Sequence, residues 1–582
     1  MRHEREYSSE TARDSFEAVG RSPARRSREE GTEGSFVLQA GATSYSGFSP
    51  GSRALGPSRL CLKRSELRCA TSPPPWPSPA GAGDWSHRSH CVGSIVLCAI
   101  DRTLCAEFDG NAVRPFIMDH RTSAGSRQWA AEGFGHIELG DSRRTRRLVA
   151  IAAAACERPS GRIAAVFTSD AEREAAYDFV ESEHVSAEEI IEGIGAATVR
   201  RCVEEPFVFV PVDGSSVTVT DRTGEDDFGR VGSDNNGARG LKVVDALAVD
   251  PQGTPVGLLT LTWWARHAKS PPKNSHARQA RPVEQKETRY WVQTVEAACA
   301  ALDERELRGW YQIDREGDGR DVLLALHKTS HWWTVRGNAD RSIELQGGDK
   351  DRLRSHLAHQ TLSGTYDLTV PGRPGRQARV ANMVVRVTKV HLRLRDKKTK
   401  RIALLPVTAV WALEHGTTPP GEKPIDWLLY TNHPVETFDD AMLVLFGYAQ
   451  RWRVEEFHRT WKRGDCDIES TQLDSFAAVK LWATIVAAVA VRLERVKRLA
   501  RVKPDAPATI DFSPTEIRAL KMLKFGDDTP RDEPTIAQAV LWLAELGGYA
   551  NKYSGKSPGA TVLGRGLKHL RPAARLLELQ HV

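Results

Sequence analysis

Nine cysteines occur in 582 residues, and none stand in a CxxC or CxxxC spacing. That distribution argues against a zinc ribbon and against a disulfide framework, and predicts reduced thiols in a cytosolic setting. Long apolar runs are also missing. The longest, Leu481 to Val491, is closed by Lys480 and Arg492 and falls well short of the roughly 20 residues that span a bilayer. The N-terminus is charged from Arg2 onward and lacks a secretory pattern. A strong charge of either sign is absent too: 81 Lys and Arg against 75 Asp and Glu leave a net +6. A wholesale polycation is therefore excluded, and positive charge matters only in clusters. Two stand out, Arg143, Arg144, Arg146 and Arg147, and Lys397, Lys398, Lys400 and Arg401. Each suits either phosphate contact or a solvated face.

The chain has enough apolar residues, 40%, for a sizeable core, and its length predicts three or four domains. Residues 1–117 differ from the rest. They are rich in Arg, Ser, Gly and Pro, contain SPPPWPSP and hold five of the cysteines. Disorder is the expectation there; a start placed too far upstream is the alternative, because ordered-looking sequence begins just after Met118.

From Trp129 to Val203 the apolar period is helical, with Asp141, Ser169 and Ser186 as predicted N-caps. The period then changes. FVFVPVDGSSVTVTD and TPVGLLTLTWWAR read as strands, TRYWVQTVEAACAALDE as a helix, and GWYQID as a strand ending in Asp314. A strand-rich stretch at about 331–436 follows, read as a β insertion in an α/β core. The C-terminal remainder is helical.

The densest chemistry lies in YAQRWRVEEFHRTWK, residues 448–462. With no Pro or Gly it is predicted as one continuous helix. At roughly 100° per residue, Tyr448, Arg451, Glu455 and Lys462 fall within an arc of about 60°, and Glu456 points about 100° away from Glu455. A phenol, a guanidinium, a carboxylate and an ammonium in one row suit a polyanion held beside a metal ion. An exposed helix with i,i+4 ion pairs is the simpler alternative. Asp213 and Asp314 each follow an apolar strand. Three carboxylates from three elements are a donor set for Mg²⁺ or Mn²⁺, whereas a lone Asp after a strand is more often a turn or a cap.

VDGSS, IDREGD and YAQRWRVEEFHRTWK, in this order, resemble the DDE transposases of the IS-four type with their Tyr-Arg-Glu-Lys signature. LGDSRRTRRL, AAYDFV, WLLYTNHPVET and AELGGY extend the resemblance over nearly everything after Met118. The resemblance implies a ribonuclease-H-like catalytic core interrupted by a β-strand-rich insertion, in an α/β fold with an N-terminal helical DNA-binding domain and a C-terminal helical region. The corresponding boundaries are 118–203 for end binding, 204–500 for catalysis and 501–582 for dimerisation. It further implies that Asp213, Asp314 and Glu455 hold a pair of Mg²⁺ ions, with Mn²⁺ able to substitute, and that Tyr448, Arg451 and Lys462 position phosphates. Trp427 matches the tryptophan that stacks on a base flipped from the element end. Arg143, Arg144 and Arg147 are candidate DNA contacts. Double-stranded DNA, both transposon ends and target, and a second copy of the chain would be the partners, with no membrane involved. The setting would be the bacterial cytoplasm.

Gly214 departs from the family, which often places a hydroxyl residue directly after the first Asp. A catalytically silent end-binding relic is the main rival reading. A carboxylate-pair hydrolase acting on sugars is a more distant one, since it needs no cationic row.

Overall fold

The computed structural model of the protein describes residues 38–39, 124–222, 227–232, 237–266, 281–372, 377–550 and 557–580. The expectations for residues 1–117 lie outside these, apart from β1 (Leu38–Gln39), which pairs with Leu368 and Asp367.

The helical segment opens with α1 (Ala124–Phe134), α2 (Ser142–Glu157), the single turn α3 (Ile163–Val166), α4 (Asp170–Glu181) and α5 (Ala187–Arg201). The three expected caps form: Asp141, Ser169 and Ser186 accept the N–H of Arg143, Glu172 and Glu189. Each satisfies a donor that the first turn would leave open, an effect of about 1 kcal/mol. The apolar stripes turn inward, so Leu148, Ile151 and Ile190 are buried.

A 13-stranded mixed sheet follows. Its core begins with β2 (Val208–Val219) and continues through the two-residue β3 (Gly229–Arg230) to β4 (Arg239–Val249) and β5 (Pro255–Trp264). β2, β4 and β5 form an antiparallel run. After α6 (Thr288–Asp303), β6 (Gly309–Ile313) pairs with β2 in parallel. Helix α7 (Arg320–His327) then returns the chain to β7 (Trp332–Arg336), which pairs with β6 in parallel. The sequence reading put β7 inside the insertion; in the sheet it is flush with the strand that carries Asp314.

Next come β8 (Ser342–Glu344), β9 (Lys350–Arg352), α8 (Leu353–Ala358) and β10 (Leu362–Val370). Two long strands, β11 (Arg379–Arg395) and β12 (Ile402–Glu414), form a hairpin, and β13 (Asp426–Thr431) joins β12 to β7. Strands β10 to β13 are thus continuous with β7 and the rest of the sheet.

Alternation along the strands sorts the two faces. Val208, Val210 and Val212 pack with Trp291, Val295 and Val322 of α6 and α7. Phe209, on the opposite face, packs with residues of α9 (Phe438–Ala449), α10 (Trp452–Lys462) and α11 (Phe476–Val502). Gly447 marks how closely α9 approaches: a Cβ there would stand 2.7 Å from the Phe209 ring. Helix α11 is long and apolar enough to cross a membrane by length and composition, but 72% of its most apolar window is buried within the protein. It is the core helix around which α12 (Pro514–Phe525), α13 (Ile536–Leu546) and α14 (Ala560–Leu579) assemble with the N-terminal helices.

Candidate active site

The register between β2 and β6 brings the two aspartates side by side. Val212 pairs with Ile313, so Asp213 and Asp314 are the next residues on adjacent parallel strands. Asp314 ends its strand by accepting the Glu316 N–H at 2.6 Å, capping a turn of 3-10 helix. Asp213 remains within β2 and faces α10.

The stretch predicted as one helix is two. Helix α9 ends at Ala449 and α10 begins at Trp452, with Gln450 and Arg451 in the turn between them. The turn is closed by short-range bonds, Arg451 N–H to Tyr448 C=O at 3.1 Å and Arg453 N–H to Gln450 C=O at 2.9 Å. Tyr448 therefore belongs to α9, Arg451 caps α10, and Glu455 and Lys462 lie along α10. The single wheel that put all four in one arc does not describe them.

Arg451 still gathers the site. Its Nη1 donates to Asp213 Oδ2 at 3.0 Å and its Nη2 to Glu455 Oε1 at 2.5 Å. Only 9% of its surface is exposed. Burial alone would lower its pKa, but Tyr448, Asp213 and Glu455 together raise it. Burial pushes the Asp213 carboxyl up to about 7. Arg451 and His458 work against that shift, while Asp314 and Asp245 add to it. Asp213, its side chain 14% exposed, is thus a largely enclosed acid short of compensating positive charge.

That property tests the donor set for a divalent cation. Three oxygen donors from three elements suit a hard ion, and the under-compensated Asp213 would gain most from one. Among the described residues no group of three His, Cys, Asp or Glu side chains is tight enough to hold a metal as it stands. The Arg451 guanidinium, inserted between Asp213 and Glu455, separates them. The oxygen donors suit the chemistry of such an ion, and two of them, Asp213 and Glu455, are engaged by Arg451.

Lys462 lies further along α10. Its Nζ is 3.5 Å from Ser215 Oγ and 3.6 Å from Glu469, and it touches none of the three acids. Tyr448 and Trp427 meet edge-on, 5.6 Å between ring centroids at 71°. Trp427 is 9% exposed, and burial raises the Tyr448 pKa against the opposing effect of Arg336 and Arg451. Beside this pair is a cavity of about 570 Å³ lined by Arg315, Arg336, Asn338, Arg354, Lys423 and Trp427. Arg336 donates to Asp426 C=O at 2.9 Å.

Of the N-terminal arginines, Arg143 is tied to its own N-cap, Asp141, at 2.8 Å, and Arg144 donates to Leu139 C=O at 3.0 Å. Arg147 is exposed. Glu456 faces away from the acids, bound by Arg453 at 2.6 Å. Burial pushes its pKa up, but Lys497, Arg453, Arg498 and Arg501 outweigh that and lower it. The departure at Gly214 has a packing reason: a Cβ there would stand 3.2 Å from the Trp291 ring.

Sequence reasoning missed two residues. Asp245 is the cross-strand neighbour of Asp213 and is fully buried. His458, one turn beyond Glu455, meets it at 2.6 Å. The available signal was a lone Asp inside the apolar strand LKVVDALAVD.

Two family models match the chain. Residues 126–185 match the one described as transposase DNA-binding, and residues 351–492 match the one described as transposase DDE domain. The second spans Trp427, Tyr448, Arg451, Glu455 and Lys462 but neither Asp213 nor Asp314. A DDE domain implies a ribonuclease-H-like core and is generally dependent on divalent metal. The chain thus matches a transposase DNA-binding model ahead of a DDE-domain model, and the two together support a DDE transposase.

Proposed function

We propose that the protein is a cut-and-paste transposase of the IS-four type, with Asp213, Asp314 and Glu455 as its catalytic carboxylates. The observation that carries the reading is the Arg451 guanidinium held between Asp213 and Glu455, with Asp314 on the adjoining strand end. When bound, a pair of Mg²⁺ ions, for which Mn²⁺ can substitute, supplies activation of an attacking oxygen and stabilisation of the leaving one.

The chain's own groups do the rest. Arg451 and Lys462 carry positive charge to either end of α10, where a scissile phosphate and its neighbour can be held. Tyr448 offers a phenol hydroxyl from α9. Trp427 walls the adjacent cavity and stacks on a base drawn from the element end, which offsets part of the unstacking cost; base–aromatic stacking is worth roughly 1–3 kcal/mol. Arg143, Arg144 and Arg147 of α2 contact end DNA, for which Arg143 must leave Asp141.

The proposed sequence is a nick that frees a 3′-hydroxyl, attack on the opposite strand to close a hairpin, reopening by water, and joining to target DNA. Each step is a displacement at phosphorus, so one set of carboxylates serves all four. Residues 118–203 bind the ends, 204–500 catalyse, and 501–582 pair two copies. Purified protein with Mg²⁺ and its own element ends should cut them, and Glu455→Ala should not. Equal cutting by both would overturn the assignment, while end binding without cutting by the wild type would favour a silent end-binding relic.

A further inference from the structure

The β11–β12 hairpin ends in a strongly basic tip that the site does not use. Residues 395–401 read RDKKTKR, five cations and one carboxylate. Arg395, Lys397, Lys398, Lys400 and Arg401 are all exposed. None has a carboxylate partner among the described residues; Lys400 Nζ donates to the Lys397 C=O at 2.8 Å. The one acid, Asp396, is engaged by its own turn, accepting the N–H groups of Lys398 and Thr399 at 2.8 Å each. It also anchors the tip to Arg320 at 3.7 Å, at the start of α7, the helix that follows Asp314.

The tip is held firmly. Thirteen paired positions run without interruption from Met383 with Glu414 to Arg395 with Ile402. Val390, Leu392, Leu394 and Leu405 turn inward and join the cluster that includes Val322, Leu323 and Leu326 of α7. Like charges crowded on a fixed turn repel one another, and a polyanion relieves that repulsion while releasing its counterions.

We infer that this tip binds the phosphate backbone of duplex DNA without reading its bases, through residues that belong neither to the carboxylate site nor to the N-terminal helices. Three of the five cations are lysines, point charges that lack the fork of donors by which arginine reads guanine. That composition suits a duplex of any sequence, such as a target, and not a fixed repeat. The inference rests on the transposase reading.

Fluorescence anisotropy of the full chain, across a series of KCl concentrations, tests it with two duplexes: one of arbitrary sequence and one carrying the element's terminal repeat. The tip variant is Lys397→Ser with Lys398→Ser. A charge-matched control is Arg305→Ser with Lys328→Ser, where Lys328 caps the opposite end of α7. Each lost phosphate contact lowers the slope of log K against log salt by about 0.9. The tip variant should therefore lose between about 1 and 2 in slope, with the control little changed and the thermal melts of both matching wild type. Loss on the arbitrary duplex alone supports a target contact; equal loss on both supports a general backbone contact. An unchanged slope, or an equal loss in the control, overturns the inference and leaves the transposase reading standing. Failure of the wild type to bind any duplex overturns both.

Discussion

His458 Nε2 lies 2.6 Å from Asp245 Oδ2, and Asp245 is paired across the sheet with Asp213. The bond fastens α10 to β4 one turn from Glu455, so it fixes the rotation of the helix that presents the third carboxylate. Burial alone would lower the imidazole pKa, but Asp245, with help from Asp213, raises it. Asp245 thus favours the protonated form of His458.

His458→Ala leaves the fully buried Asp245 side chain without its partner. Breaking such a pair costs about 3–5 kcal/mol, which urea denaturation of the variant should report. Asp245→Asn combined with His458→Gln removes both charges and should recover much of the loss. A double variant as unstable as His458→Ala would show that the pairing is not what matters.

The pH response of the metal-free protein follows from Asp213. Its pKa rises from the ordinary carboxylate value of 3.8 to about 7 in the fold, so the folded state holds the proton more tightly than the unfolded one. The stabilising contribution is complete below about pH 4 and is lost as pH climbs towards 7, by up to roughly 1.4 kcal/mol per unit. Asp465 shifts in the same direction, also to about 7 and mainly by burial, so the wild-type curve alone does not isolate Asp213. The difference between Asp213→Asn and wild type does: the variant should match wild type at pH 4 and melt higher at pH 8 in EDTA. Parallel curves over that range would contradict it.

Removing the guanidinium between the two acids should expose their mutual repulsion. Arg451→Ala is expected to lose about 3–5 kcal/mol without metal, as for other broken buried pairs. Mn²⁺ should then raise its melting temperature more than it raises that of wild type. An identical Mn²⁺ shift in both would show that Arg451 and the ion do not compete for the same carboxylates.

Trp427→Ala should weaken capture of an extruded base by about 1–3 kcal/mol, roughly 5- to 150-fold. A 2-aminopurine placed next to the cleaved end reads this directly, through quenching on binding by wild type and its absence in the variant. Trp427→Phe keeps a ring against Tyr448 and should retain part of the quenching. Equal quenching in all three would leave Trp427 as a packing residue only.

Much of this arrangement was legible in the sequence. The three helix caps followed from Asp141, Ser169 and Ser186 standing before apolar periods, and the end of β6 at Asp314 from the apolar run before it, whereas Asp213 lies within β2 rather than after it. The break between α9 and α10 was not legible, because no residue at 448–462 disfavours a helix. Tertiary surroundings crowd the turn: Gln450 is 3% exposed and is seated where a Cβ on Gly253 would come within 2.4 Å of its side chain. Asp245 and His458 escaped for a related reason. Cross-strand register decides that Asp245 stands opposite Asp213, and register is a property of pairing that one strand's composition does not carry. Arg451 was read as a phosphate contact or as the i,i+4 partner of Glu455; the pair with Glu455 forms, and the bond to Asp213 became visible only once α10 was set against β2.

The bond from Arg451 to Asp213 joins residues 238 positions apart in the chain, and between them the polypeptide must lay down β6, β7 and the whole insertion. Contacts of such long range form slowly, because loop closure precedes the reward of the contact. A chain emerging from the ribosome consequently carries Asp213 and Asp314 long before Arg451 and Glu455 exist to meet them. On the proposed reading the set of acids is complete only once Glu455 has been made, so the order of the sequence itself delays the site that would cut DNA.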